Sequence, residues 1–241
     1  MGSAHSDIYK NTPLRLPQDR FVGTINRRFV KNRLVTLELH DQFWSRPRNH
    51  DVVIVDTVTG QILYKVGPVS EEESRRRMLL DSYGIPIVGM EKTEASLTAE
   101  YSVIPGGPRS IGTFCSIQTW FNPFERPLRL SFIDHDTGKQ VEITTKGNWF
   151  AREALVVFTM GQYEATYAIA RIYCDGNPLD RTYKMDVAQG VDTALMVLIA
   201  AAMDEQTAKH ATDSDRLQLR RVAKRAHKKA KKLRKNTAVA A

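Results

Sequence analysis

The residue types that most often carry out chemistry are scattered along this sequence. Six histidines and two cysteines are present, and the most ligand-like group is the run Asp134, His135 and Asp136. We predict that this run lies in a hairpin turn, where adjacent side chains diverge, so it does not predict a shared metal ion. Cys115 and Cys174 fit small strand residues in a reducing compartment better than a disulfide or redox pair. The sequence therefore predicts a non-enzymatic protein without catalytic residues, cofactor or metal.

A strongly basic segment is the main candidate binding site. Residues 216–235 contain eleven of the 35 Lys and Arg residues and no acid, which leaves 24 basic against 27 acidic residues, or −3, in the rest of the chain. The net charge of +8 is thus a property of this segment, which predicts an anionic partner. The predicted binding residues are Arg216, Arg220, Arg221, Lys224, Arg225, Lys228, Lys229, Lys231, Lys232, Arg234 and Lys235.

Three interpretations of the basic segment are open. Anionic phospholipid is favoured, because each basic residue near an anionic leaflet contributes roughly 1 kcal/mol. RNA or DNA binding, or nuclear import, would use the same charges, although the segment has no aromatic residues for base stacking. A solubilising segment without a partner is the third interpretation.

The N-terminal residues carry a second membrane-related pattern. Met1-Gly2-Ser3-Ala4-His5-Ser6 fits M-G-x-x-x-[ST], which predicts N-myristoylation of Gly2, although the same letters also occur as the remnant of a cloning tag. No apolar signal-peptide core precedes residue 30, which argues against secretion. We expect an intracellular, cytoplasmic protein that associates with a membrane surface, with the nucleus as the alternative.

An apolar stretch organises the rest of the chain. Residues 194–203 are ten consecutive apolar residues, and a helix that is hydrophobic all round must be enclosed. Ten helical residues reach about 15 Å, half of the ~30 Å of a bilayer core, so we predict a buried core helix and no transmembrane segment. Asp192 and Thr193 are predicted to cap its start. Because acids at 204 and 205 are unfavourable at a helix C-terminus, the helix should continue towards residue 210.

Short apolar runs separated by turns precede this helix and predict an all-β barrel or sandwich. Turn chemistry supports hairpins, since Asp56 to Gly60 and Asp134 to Gly138 share the pattern D-x-x-T-G, and Asp81 to Gly84 is a shorter version. Another loop, with Phe43 and Trp44 before Arg46 and Arg48, is predicted to present an aromatic residue and cations to an interface. The thirteen candidate strands are 22–26, 34–40, 52–56, 61–66, 77–81, 86–91, 97–104, 113–120, 128–133, 140–145, 154–159, 163–172 and 181–188.

The hairpin patterns, the segment Leu79-Leu80-Asp81-Ser82-Tyr83-Gly84-Ile85-Pro86 and the segment Val187-Ala188-Gln189-Gly190-Val191-Asp192-Thr193-Ala194-Leu195 resemble the LURP-one-related family of the tubby C-terminal-like superfamily. The resemblance covers roughly residues 34–209. It implies a mainly β fold, a closed antiparallel barrel of about 12 strands around a central C-terminal hydrophobic helix.

The superfamily also includes phosphoinositide binders and phospholipid scramblases. This sequence has no palmitoylation-type cysteine cluster, and no basic pair matches the lipid site of tubby, so no binding residue is transferred. The resulting division is an N-terminal arm over residues 1–20, a barrel over 21–210 with its core helix at about 191–209, and a basic tail, helical or disordered, over 211–241.

Overall fold

The architecture was determined as a computed structural model. It describes residues 9, 11–16, 22, 25–41, 43–44, 52–68, 77–94, 98–106, 112–120, 128–133, 138–149, 152–160, 166–174 and 182–210.

Within these residues, twelve strands form one closed antiparallel barrel. Each strand pairs with the next along the chain, and β1 pairs with β12 to close the ring. Closure leaves no unpaired sheet edge. It confirms the closed barrel that the family resemblance implies and decides between the barrel and the sandwich that the strand pattern left open. The strands are β1 Val35–His40, β2 Val52–Asp56, β3 Ile62–Pro68, β4 Arg77–Asp81, β5 Pro86–Glu94, β6 Thr98–Pro105, β7 Cys115–Trp120, β8 Leu128–Ile133, β9 Gln140–Asn148, β10 Glu153–Met160, β11 Thr166–Tyr173 and β12 Thr182–Val187.

The first of the thirteen candidate strands, 22–26, is wrong. Of its described residues, Val22 makes an isolated parallel bridge to Val191, and Asn26 caps a short 3₁₀ turn at Arg27–Phe29 by accepting from the Arg28 N–H. The backbone N–H groups of Ile25 and Asn26 donate to the Asp192 carboxylate, at 3.2 and 3.3 Å. These bonds hold the segment across the end of the barrel, where its N–H groups are used for the helix rather than for a strand ladder.

One helix, α1 at Thr193–His210, follows β12 and lies inside the barrel. Every side chain from Ala194 to Met203 is at most 1% exposed, and eighteen residues give a length of about 27 Å. The lumen is therefore filled by the apolar stretch itself, as the sequence predicts. Among the described helices, none is long and apolar enough to cross a membrane.

The barrel has two mouths that are distinguished by the direction of α1. The upper mouth is the end where β12 ends and α1 begins, and its turns include residues 57–61 and 82–85. The lower mouth is the end where α1 leaves, and it includes the end of β1, the β9–β10 turn and the start of β12. Because neighbouring strands are antiparallel, every odd-numbered strand begins at the upper mouth.

Two upper-mouth turns have the chemistry that the sequence predicts. Asp56 Oδ1 accepts from the Val58 N–H at 3.0 Å, and Gly60 has φ +69°. Asp81 Oδ1 accepts from the Ile85 N–H at 2.9 Å. Each aspartate stabilises its own turn by a local hydrogen bond, and the positive φ at residue 60 favours glycine.

Residue 9 and residues 11–16 lie along the outer wall of the barrel. The Arg15 N–H donates to the Ala168 carbonyl at 3.0 Å, near the start of β11. The Tyr9 carbonyl accepts from Arg171 Nη1 at 3.4 Å, near the end of β11. This segment therefore runs from the lower towards the upper mouth, and residues 9 and 210 both lie at the lower end of the barrel.

Candidate functional site at the ends of the buried helix

The lower end of α1 is held by a cluster around Asp204, whose side chain is fully buried. Oδ1 accepts from Trp149 Nε1 at 3.0 Å and from Arg152 Nη1 at 2.6 Å. Oδ2 accepts from the Tyr183 hydroxyl at 2.9 Å. We call these residues, together with Asp41, the lower-mouth cluster. It joins the helix to three separate parts of the barrel.

The β9–β10 turn supplies two of the donors. The Arg152 N–H donates to the Trp149 carbonyl at 3.0 Å, and Arg152 has φ +55°. A non-glycine residue in this left-handed region costs on the order of 1 kcal/mol or more. The surrounding contacts offset this cost, because the turn directs both side chains at Asp204.

Arg152 is packed as a cation between aromatic rings and carboxylates. Its guanidinium lies 4.1 Å from the centre of the Tyr183 ring and 5.6 Å from that of Trp149, which adds cation–π attraction. It also forms an ion pair with Asp41 at the end of β1. Burial alone would lower the pKa of Arg152, but the negative charge of Asp204 raises it above its ordinary value. The guanidinium therefore stays charged.

The arrangement makes Asp204 an anchor. Burial raises the pKa of its carboxyl, while the charge and hydrogen bond of Arg152 and the hydrogen bond of Trp149 oppose that rise. A general base must reach the proton that it removes, whereas this carboxylate is enclosed and already accepts from three side chains. Its chemistry is the fixation of α1 in the barrel.

The upper end of α1 is held by Asp192, which is also buried. Its Oδ1 accepts from the N–H groups of Ala194 and Leu195 at 2.9 and 3.2 Å, as the predicted cap requires. Its Oδ2 accepts from Ile25 and Asn26. Burial raises the pKa of Asp192 to about 6, and the backbone hydrogen bonds limit the rise.

The structure does not describe the binding residues that the sequence predicts. Gly2 and all eleven basic residues between 216 and 235 fall outside the described residues, as do Arg46, Arg48 and the run 134–136. The prediction that Phe43 and Trp44 face an interface is wrong, because they are 0% and 3% exposed. They pack edge-to-face against each other with ring centres 6.4 Å apart. Burying the large apolar area of two aromatic rings stabilises the fold more than leaving it exposed to solvent would.

The lower-mouth cluster was missed by sequence reasoning. Its members come from positions 41, 149, 152, 183 and 204, and no short motif joins them. The sequence therefore contains no local pattern that indicates the cluster. Within the described part of the chain, no group of three His, Cys, Asp or Glu side chains is placed to hold a metal ion.

Comparison with known proteins supports the fold. The model of the LURP-one-related family matches residues 35–204, from the first strand to the anchoring aspartate of α1. An X-ray structure of an Arabidopsis thaliana protein is similar with a TM-score of 0.52 and 19% identity, and the match covers 77% of this chain and 98% of that one. At this identity the likeness shows the fold alone. Comparison with curated proteins finds no match.

Proposed function

Because the chain belongs to the LURP-one-related family and its barrel encloses its own helix, we propose that it is a non-enzymatic protein that associates peripherally with anionic phospholipid. The basic segment 216–235 makes the contact. The observation that carries the proposal is the segregation of eleven cations into this segment, while the rest of the chain has 24 basic and 27 acidic residues.

The filled lumen favours a function on the outside of the barrel. Small ligands usually bind in concave, largely preformed cavities, and in barrels of suitable size the lumen is such a place. Here Leu195, Val197, Leu198 and Ile199 are all 0% exposed and occupy the interior. Binding through a segment beyond the barrel is consistent with this packing.

The direction of the chain is consistent with attachment at one end. Helix α1 leads residue 210 out at the lower mouth, and residue 9 lies at the same end near Arg171. An acyl chain on Gly2 and the basic segment would then extend from neighbouring points. One acyl chain gives only marginal membrane binding, whereas an acyl chain combined with a polybasic segment gives stable attachment.

A second candidate is a nucleic-acid-associated or nuclear factor that uses the same segment. The observation that favours it is the same density of Lys and Arg, because phosphate backbones attract cations without sequence preference. The favoured location is cytoplasmic, at a membrane surface, and the alternative location is the nucleus.

Vesicle sedimentation tests the proposal with matched variants of the full chain. Lys231→Gln with Lys232→Gln should weaken binding to phosphatidylserine-containing vesicles by at least about tenfold, given roughly 1 kcal/mol per cation near the surface. Lys65→Gln with Lys146→Gln removes the same charge from the barrel wall and should have little effect. Binding should also weaken as salt rises.

Equal binding by the two double variants, insensitive to salt, would contradict attachment through the basic segment. Competition between RNA and anionic vesicles separates the two candidates. RNA and unlabelled anionic vesicles are compared as competitors at equal phosphate concentration. If RNA displaces the protein from the vesicles at the lower concentration, the nucleic-acid function is favoured.

A further inference from the structure

Large apolar side chains are exposed around the upper mouth. Tyr83 is 88% exposed and Ile133 is 64% exposed, and Val58, Ile62, Ile85 and Phe114 are also exposed. We call these six side chains the apolar rim. Exposed apolar groups that collect in one region mark a protein or membrane contact more often than single scattered ones do.

The rim follows consecutive strands of the barrel. Val58 lies in the β2–β3 connection and Ile62 is the first residue of β3. Tyr83 and Ile85 lie in the β4–β5 connection, Phe114 directly precedes β7, and Ile133 is the last residue of β8. Strands β2 to β8 are consecutive in the ring, so the six side chains lie on neighbouring hairpins along one side of the mouth. The side chains of the rim are on separate turns and strand ends of this mouth.

Cations lie at the same mouth. The 3₁₀ turn at Arg27–Phe29 crosses it, because Asp192 accepts from Asn26 and the Phe29 carbonyl accepts from Thr193 Oγ1 at 2.9 Å. Arg27 and Arg28 are exposed, and the Arg28 guanidinium lies 4.6 Å from the centre of the Phe29 ring. Nearby, the Asp56 carboxylate is paired with Arg33. The described part of the 3₁₀ segment therefore adds positive charge to the rim.

We propose that the upper mouth is a second lipid-contacting surface, in which the apolar rim enters the boundary between headgroups and acyl chains and Arg27 and Arg28 meet lipid phosphates. The charge of the 3₁₀ turn is complementary to an anionic leaflet, where each cation contributes roughly 1 kcal/mol. Tyrosine suits the interface because its ring is apolar and its hydroxyl reaches water. Arginine stems cover apolar surface while the charged head stays in water.

This surface is independent of the basic segment, because it uses other residues and lies at the end of the barrel opposite residue 210. A protein that contacts lipid at both ends would crosslink vesicles. A variant with the rim altered would still bind single vesicles through residues 216–235 but would no longer crosslink them.

Two variants of the full chain test the rim. Tyr83→Ser with Ile85→Ser should reduce crosslinking of phosphatidylcholine–phosphatidylserine vesicles, measured by turbidity, by about tenfold, because two large apolar side chains are lost from the contact. Val53→Ser is the matched control, since Val53 is an exposed apolar residue near the lower end of β2. It should crosslink like the unaltered protein. If all three proteins crosslink vesicles and the rim variant does so as strongly as the other two, the proposal is overturned.

A reporter on the rim gives a readout that does not depend on the basic segment. An environment-sensitive fluorophore on Tyr83→Cys should shift to the blue with these vesicles, whereas the same fluorophore on Gln118→Cys, at an exposed position further down β7, should not. Cys115 is buried and Cys174 is half-buried, so Cys174→Ser is included in both proteins. Identical emission at both positions would overturn the proposal.

The main rival occupant of the rim is a second copy of this chain. A blue shift at position 83 that appears without vesicles and follows dimerisation in sedimentation would assign the rim to that copy and overturn the lipid assignment. Loss of the Lys231–Lys232 effect with the rim shift intact would contradict only the function of the basic segment. The two failures are therefore distinguishable.

Discussion

The two ends of α1 each bury an aspartate, and the two carboxylates are stabilised in different ways. At the upper mouth, the described donors to Asp192 are four backbone N–H groups, two from α1 and two from residues 25 and 26. At the lower mouth, the donors to Asp204 are side chains of Trp149, Arg152 and Tyr183. The carboxylate of Asp192 is therefore stabilised by backbone N–H dipoles, whereas the carboxylate of Asp204 is stabilised by an ion pair with Arg152.

The difference has an energetic consequence. The first backbone N–H groups of a helix need acceptors, and the acceptor does not have to be charged. Asp192 supplies such an acceptor for α1. The buried guanidinium of Arg152, in contrast, is compensated by its ion pairs with Asp204 and Asp41. Breaking a buried ion pair by removing one partner is strongly destabilising. The lower mouth should therefore be the more sensitive end.

The largest expected effect follows from Arg152→Met. The change leaves Asp204 buried without its cation, and we expect the free energy of unfolding to fall by about 3–5 kcal/mol. Urea denaturation measures it. The control is Arg129→Met, which breaks an ion pair with Glu142 that is half exposed on the arginine side and should cost about 0–1 kcal/mol.

The same comparison predicts partial rescue. Arg152→Met combined with Asp204→Asn removes the unpaired charge and should be more stable than Arg152→Met alone. If the double variant were less stable than either single variant, the ion pair would not be the main contribution of Arg152, and the packing against Tyr183 and Trp149 would carry it instead.

Much of the upper mouth could be predicted from sequence, because its determinants are close together in the chain. Asp192 and Thr193 directly precede ten apolar residues, so both the cap and the burial of the helix follow from local patterns, as does the glycine at position 60.

The lower mouth could not be predicted. Arg152 contacts residues 41 and 204, which are 111 and 52 positions away in the sequence. It does so from a turn with a positive φ that no sequence motif indicates. The burial of Phe43 and Trp44 was not predicted either, because both join a core cluster whose members come from the whole barrel and from α1.

The pH dependence of stability distinguishes Asp192 from Asp56, an upper-mouth aspartate whose pKa shifts in the other direction. The pKa of Asp192 is raised from 3.8 to about 6 by burial, so between these values the folded chain binds a proton that the unfolded chain lacks. Its contribution to stability therefore increases as pH falls from 7 to 4, by up to about 3 kcal/mol. Asp56 behaves oppositely. Burial acts against it, but the hydrogen bonds from Arg33, Val58 and Thr59 lower its pKa, so its contribution is lost as pH falls.

Chemical denaturation at several pH values measures these contributions as differences from variants. Relative to Asp192→Asn, the unaltered protein should gain stability on acidification, and relative to Asp56→Asn it should lose stability. Parallel profiles for the unaltered protein and Asp192→Asn between pH 4 and 7 would show that the carboxyl of Asp192 does not titrate in this window.

The smallest effects come from one change made at both ends, tyrosine to phenylalanine. At the upper mouth, Thr193 Oγ1 donates its proton to the Phe29 carbonyl, so the Tyr64 hydroxyl, 2.5 Å away, must donate to Thr193. This neutral bond is worth about 0.5–1.5 kcal/mol, whereas the bond from Tyr183 to the Asp204 carboxylate is worth about 1.5–3 kcal/mol because its acceptor is charged. Tyr64→Phe should therefore destabilise the protein less than Tyr183→Phe, as measured by urea denaturation.

Both tyrosines are almost completely buried, so the two changes remove the same hydroxyl from equally buried positions. The difference between the two losses of stability therefore measures the effect of the acceptor's charge. Equal losses would mean that Asp204 is protonated in the folded protein, because a neutral carboxyl accepts no more strongly than a hydroxyl does.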